Sequence, residues 1–209
     1  MKLYTYDPAP NPQRVQMCLD YKGIELETIH IDMMTAEQLG EDYRRINPAC
    51  TVPALILDSG ALLTEIPSIC TYLEDTFPQK PLFGGSAEER AIVVGWSHKL
   101  YLTLLQPLAD VLRNGNPHLK GRALPGPVNI EQIPELVERG KQRLANAWPH
   151  IDEHLAGSTF MAGDYFSFAD IELLVATGFA NGMVRQPVPE TCTHITAWKA
   201  RAEAALAQK

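Results

Sequence analysis

The chain has 209 residues, 45% of them hydrophobic and 21% charged, with a formal net charge of −7. That size holds two modest domains or one large one, and the acidic balance argues against sequence-independent nucleic-acid binding, which works by neutralising phosphates. No apolar run approaches the roughly 18 residues of a membrane span, and the first residues enter a strand-like run rather than a leader.

The elements read as follows in chain order. Leu3–Tyr6 is an expected strand, closed by Asp7-Pro8-Ala9-Pro10-Asn11-Pro12. Asn11 as N-cap with Pro12 at the first helical position makes a good helix start, since the proline has no N–H to leave unpaired. Val15, Cys18, Leu19 and Lys22 share one face of that helix, and Gly23 is placed to end it. Ile24–Ile31 reads as a second strand and Met34–Ile46 as a short irregular helical stretch. Val52-Pro53 stands at the mouth of an apolar run. An X–Pro bond adopts the cis form at a cost of about 0.5–1 kcal/mol, against about 2.5–4 for other residues, so a cis peptide in a sharp turn is expected there. Ala54–Leu57 and Ala61–Thr64 flank the turn Asp58-Ser59-Gly60 and should pair as a hairpin. Pro67 opens a helix reaching about Phe77.

A Pro- and Gly-rich stretch then marks a boundary: residues 1–79 form one domain, 80–86 a linker, and 87–209 a helical domain. A long helix is expected from Ala87 to about Arg113, kinked at Pro107, then a Gly/Pro-rich connection, then a helix from Ile130 to about His154. Ser167-Phe168-Ala169-Asp170 is a capping-box signal, with Phe166 and Ile171 spaced as its hydrophobic staple. The apolar run Ile171–Phe179 reads as the buried central helix, and Ala197–Leu206 closes the chain. The four cysteines, at 18, 50, 70 and 192, have neither CxxC spacing nor a disulfide framework, which fits a reducing cytoplasm. The six histidines show no metal-ligand spacing, so no metal is expected.

Four pieces, in order, carry a resemblance: Pro12-Gln13-Arg14-Val15, the turn Asn47-Pro48-Ala49-Cys50-Thr51-Val52-Pro53-Ala54-Leu55, Glu65 ahead of its helix, and the box at 167–170. Together the chain resembles the cytosolic glutathione transferases, whose turn runs roughly Asn-Pro-x-Gly-x-Val-Pro-x-Leu. The segment 12–15 and the tail Val188-Pro189-Glu190-Thr191-Cys192 look closest to an atypical fungal and bacterial branch. The resemblance implies an α/β thioredoxin-like N-terminal domain, order β-α-β-α-β-β-α, followed by an all-helical C-terminal domain. It implies a cytoplasmic homodimer that uses glutathione as co-substrate, acts on a small electrophile and serves detoxification.

Carried over by position, Val52 beside Pro53 pairs its backbone with the cysteinyl part of glutathione as a strand edge does with an added peptide. Glu65 meets the γ-glutamyl ammonium. Ile66 stands where the family usually has Ser and keeps only the N–H for the glutamyl carboxylate. Gln38 and Thr51 fall at the glycyl end, and neither is cationic. The family's thiol-activating Tyr, Ser or Cys is missing from residues 7–13; its usual Ser position falls at Ala9 or Pro10. Asn11 through its amide, Tyr6 as the nearest phenol, backbone N–H groups of the first helix, and a water held by second-domain residues stay open as substitutes. The acceptor site is expected from Tyr101, Leu105, Leu108, Leu112 and Arg113, which recur at helical spacing.

Plainer roles stand beside these: Asn11 as a cap, Glu65 as a cap, Pro53 as a strand-entry residue, Cys50 as a small buried side chain, and the 101–113 positions as core or dimer contacts. Three functions follow: conjugation of the glutathione thiolate to an apolar electrophile, a non-catalytic ligand-binding protein of the same fold, or a glutathione-dependent thiol reductase or peroxidase in which Cys50 reacts.

Overall fold

The computed structural model describes residues 1–207, which separate into two compact units. One comprises Met1–Lys80 with Leu124–Asn129, the other Pro81–Ala123 with Ile130 onward. The short piece 124–129 therefore groups with the N-terminal unit although its neighbours in sequence belong to the helical one.

In the N-terminal unit, β1 (Lys2–Thr5), α1 (Pro10–Lys22), β2 (Glu27–His30), α2 (Glu41–Ile46), β3 (Ala54–Ile56), β4 (Leu62–Leu63) and α3 (Ile66–Thr76) follow in order. The sheet order is β2-β1-β3-β4, with β1 parallel to β2 and antiparallel to β3. The hairpin expected around Gly60 is present, pairing Leu55 with Leu63 and Ile56 with Leu62. Alternation along β1 and β3 sends Tyr4 and Ala54 to one face and Leu3 and Leu55 to the other. Tyr4 and Ala54 join Ile31, Tyr43 and Val52 in one buried cluster. α1 and α3 pack on each other and bury Val15, Cys18, Leu19, Ile69, Cys70 and Leu73.

The start of α1 differs from the sequence reading. α1 starts at Pro10 with Ala9 as N-cap, so Asn11 is a first-turn residue and not the cap. A proline needs only φ near −65° and no N–H, and two prolines at 10 and 12 let the helix begin two residues earlier. Gly23 ends the helix at φ +67° as expected, a conformation glycine adopts without a Cβ penalty. The irregular stretch resolves into a short 3-10 turn, Glu37–Leu39, and α2.

The helical unit holds α4 (Ala87–Leu100), α5 (Gln106–Gly115), α6 (Pro134–Ala156), α7 (Phe168–Phe179) and α8 (Thr193–Leu206). The expected single helix to Arg113 is instead interrupted by a π-helical turn, Tyr101–Leu105, ahead of Pro107. The Gln106 N–H reaches back to the Tyr101 carbonyl, so the Leu102 carbonyl would next look to residue 107, where proline has no N–H. Arg143 of α6 fills that place by donating to the Leu102 carbonyl. The helix expected from Ile130 starts only at Pro134, because Ile130 is held extended beside Arg122. α5 and α6 approach closely at Gly140, where a Cβ would lie 2.9 Å from the Pro107 carbonyl oxygen. α7 is buried at every residue except Gly178 and packs against α4 and α8. Its capping box is formed, and Phe166 and Ile171 are both buried.

Candidate functional site

The turn between α2 and β3 is held by short-range hydrogen bonds that leave the Val52 edge rigid. Asn47, 1% exposed, accepts from the Ala49 N–H through Oδ1 at 3.0 Å and donates from Nδ2 to the Thr51 carbonyl at 2.8 Å and to Thr51 Oγ1 at 3.1 Å. Tyr43 donates its hydroxyl to the same Thr51 carbonyl at 2.6 Å. With the Thr51 carbonyl doubly engaged and Val52 packed in the Tyr4 cluster, the peptide at 51–53 has little freedom. The Val52–Pro53 bond is cis.

Cys50 stands where the resemblance has glycine, and it takes the left-handed conformation that position requires, φ +55°. A non-glycine residue there costs about 1–2 kcal/mol. Its thiol is 2% exposed and points a weak hydrogen bond to the Pro48 carbonyl at 3.6 Å, which is how a small buried cysteine behaves.

Tyr43 was not singled out in the sequence, and only the tertiary contact reveals its role. Burial pushes its phenol up to about 12, partly offset by the hydrogen bonding around Asn47. The phenol thus remains a donor to Thr51 throughout the ordinary working range. Because the folded state holds this proton more tightly than the unfolded chain, whose phenol titrates near 10, the associated stability is complete below that value. It is lost as pH rises to about 12. Between these limits the wild type should lose on the order of 2–3 kcal/mol more stability than Tyr43→Phe, read from urea unfolding across the alkaline range. An equal loss in both proteins would remove the argument.

At the head of α3, Glu65 occupies the N-cap position, yet its side chain makes no capping bond and is exposed. Its carboxylate therefore has no capping task. Ile66 is buried, 3% exposed, so only its backbone can face a ligand. Gln38 is 7% exposed, and its Oε1 is a buried acceptor with no hydrogen-bond donor among the described residues.

The start of α1 is poor in donors. Of its first three residues, Pro10, Asn11 and Pro12, only Asn11 carries a backbone N–H, and at the helix start it has no carbonyl four residues back within the helix. Asn11 is exposed, and its Oδ1 accepts from Arg14 Nη1 at 3.0 Å. Tyr6 lies half-buried against the cluster that contains Val52.

In the helical unit the five expected acceptor positions divide. Leu105 and Leu108 are buried, whereas Tyr101 is 45% exposed and Leu112 half-buried. Arg113 donates from Nε to the Ala123 carbonyl at 3.1 Å and from Nη2 to the Arg122 carbonyl at 2.8 Å, which pins the connection after α5. Burial and the neighbouring Arg122 lower its pKa from the ordinary arginine value. Among the described residues no group of three or more His, Cys, Asp or Glu could hold a metal ion, and no helix is long and apolar enough to cross a membrane.

Comparison with known proteins bears on the family and the fold. Residues 9–76 match the family described as glutathione S-transferase, N-terminal domain, and residues 106–205 the corresponding C-terminal domain. Glutathione S-transferase F12 of Arabidopsis thaliana is 35% identical over 86% of the chain and 81% of its own length. A glutathione S-transferase domain-containing protein of Marinobacter aquaeolei superposes with a TM-score of 0.88 at 30% identity, covering 98% of both chains. Gtt2 of Saccharomyces cerevisiae superposes with a TM-score of 0.85 at 27% identity over 98% of this chain and 100% of its own.

Proposed function

Since this chain belongs to the glutathione S-transferase family, in a fungal and bacterial type of branch, we propose that it conjugates the glutathione thiolate to a small, largely apolar electrophile. The observation that carries the reading is the Thr51–Pro53 edge, held by Tyr43 and Asn47 and followed by a Glu65 carboxylate that does not cap its own helix.

On this reading the cysteinyl backbone pairs with Val52, and Glu65 accepts from the γ-glutamyl ammonium. The Ile66 N–H and the partly positive start of α3 meet the glutamyl carboxylate. Gln38 and Thr51 serve the glycyl end, where the buried orphan Oε1 of Gln38 suits the glycyl N–H. A family Ser would add a hydroxyl bond at position 66. One hydrogen bond to a charged group is worth about 1.5–3 kcal/mol, so glutathione should bind roughly ten- to a hundredfold more weakly than with Ser present.

Thiolate formation needs a donor, because the glutathione thiol is mostly protonated at neutral pH. Asn11 is the first choice: it has the sole backbone N–H among the first three residues of α1 and an amide besides. Tyr6 is the runner-up. For the acceptor, Tyr101 and Leu112 are the exposed or half-exposed members of the helical set, with Arg113 holding the connection beside them. The active form is taken as a cytoplasmic homodimer with a detoxifying role.

The hydroxyl-free segment 7–13 favours a second reading, a non-catalytic ligand-binding protein of the same fold. Isothermal titration with glutathione and conjugation of a general aryl halide separate the two. Glu65→Ala should weaken glutathione binding by at least about tenfold, the scale of one lost charged contact. Asn11→Ala should lower kcat while affinity changes little. No saturable binding at millimolar glutathione ends the enzyme reading, and binding without conjugation also leaves only the second.

A further inference from the structure

We infer that Arg14 is the positioning residue of the thiol site: it holds the Asn11 carboxamide with its oxygen inward, so that the Nδ2 hydrogens are the end offered to the glutathione sulfur. This rests on the Asn11 reading above and deepens it.

The argument begins with helical spacing. Residues 11 and 14 lie three apart on α1 and so are neighbours on its surface. Arg14 is buried, 3% exposed, whereas Asn11 is exposed. The guanidinium thus reaches the amide from the protein side. Arg14 Nη1 to Asn11 Oδ1 is 3.0 Å. A guanidinium has donors and no acceptor, so the carboxamide can present only its oxygen to it. The usual ambiguity between the two ends of an asparagine is thereby settled by the chemistry of its partner. The remaining end is NH2, a donor and nothing else, which is what a thiolate requires.

A charged donor on the carbonyl oxygen has a second consequence. It draws electron density along the amide and makes the N–H hydrogens stronger donors, as chained hydrogen bonds do. An asparagine so held substitutes for a hydroxyl in a helix start whose neighbouring positions, Pro10 and Pro12, have no N–H to offer. Arg14 does not touch the sulfur on this account; it acts through Asn11.

A two-by-two cycle tests the idea on the whole protein. The pKa of the enzyme-bound glutathione thiol is followed by thiolate ultraviolet absorbance against pH, with kcat and KM, for wild type, Asn11→Ala, Arg14→Lys and the double variant. Arg14→Lys should raise the bound thiol pKa by about half a unit, near a threefold loss of thiolate and of kcat below that pKa, with KM for glutathione changed less than about twofold. In the Asn11→Ala background the same change at position 14 should add nothing. A shift of equal size in both backgrounds overturns the inference, because Arg14 would then act directly. No shift in Arg14→Lys alongside a clear shift in Asn11→Ala overturns it as well, while leaving the Asn11 reading standing. No shift in Asn11→Ala sinks the Asn11 reading itself.

Should the position-14 variant fold poorly, wild-type protein supplies a second readout. The Asn11 side-chain amide signals in nitrogen-15 NMR should move when glutathione binds, and move again as its thiol ionises. Signals that stay in place with glutathione bound overturn the assignment.

Discussion

Asp170→Ala is expected to lose about 4 kcal/mol of stability or more, a large share of the roughly 5–15 kcal/mol of an ordinary protein. The carboxylate is fully buried and accepts four hydrogen bonds. Oδ1 takes the Met161 N–H at 2.9 Å and the Trp198 indole N–H at 2.8 Å, while Oδ2 takes the Ser167 N–H at 2.9 Å and its hydroxyl at 2.8 Å. These donors come from the loop before α7, the cap of α7 and the middle of α8, so one side chain ties three segments of the helical unit. Burial pushes the carboxyl above its ordinary pKa, with the four donors pulling the other way. Truncation strands donors that cost about 1–3 kcal/mol each when left dry, though their sum is not additive. Asp170→Asn should recover little, because its NH2 must face donors on one side. Urea unfolding followed by circular dichroism gives the comparison. An alanine variant within about 1 kcal/mol of wild type would mean that water replaces the carboxylate.

Lys22→Met should cost about 3–5 kcal/mol, the usual consequence of leaving one member of a buried ion pair alone. Lys22 Nζ lies 2.6 Å from Glu74 Oε2, with the two side chains 0% and 5% exposed, and it also donates to the Gln79 and Lys80 carbonyls at 3.2 and 3.1 Å. The pair joins the C-terminal ends of α1 and α3, the two helices whose opposite ends carry Asn11 and Glu65. Breaking it should therefore weaken glutathione binding without touching any group assigned to the ligand. Replacing both members with apolar residues, Lys22→Met with Glu74→Leu, should restore much of the stability, since two well-packed apolar groups carry no desolvation cost. A double variant no more stable than Lys22→Met alone would show that the carbonyls of 79 and 80, and not the ion pair, need the lysine.

Much of the fold is legible in the chain because its signals are local. Gly23, the hairpin turn at 58–60, the Val52–Pro53 turn and the box at Ser167–Asp170 each depend on residues within a few positions, where backbone chemistry decides. The boundaries that moved in the helical unit did so for reasons outside the local window. Residues 101–105 carry an ordinary apolar helical pattern, and the π turn there depends on Pro107 together with Arg143 from another helix. Ile130–Ile133 looks helical until Arg122 is seen pairing with Ile130.

The site divides in the same way. Glu65 and Val52 could be placed by pattern, because a turn and a helix start position them within a few residues. Tyr43 and Arg14 could not be assigned roles. A tyrosine eight residues before Thr51 looks like core until folding brings its hydroxyl to the Thr51 carbonyl, and Arg14, though within helical reach of Asn11, shows its burial only in the structure.

By itself, then, the chain determined its family, its secondary-structure order and the rigid turn at 47–55, since short-range sterics and hydrogen bonding are written in consecutive residues. Tertiary structure decided which polar groups are already engaged and which remain available to a ligand: Asp170 and Arg113 are occupied, Glu65 is not. That difference rests on long-range packing, which sets where each donor finds its acceptor and so which carboxylate or amide is left to do chemistry.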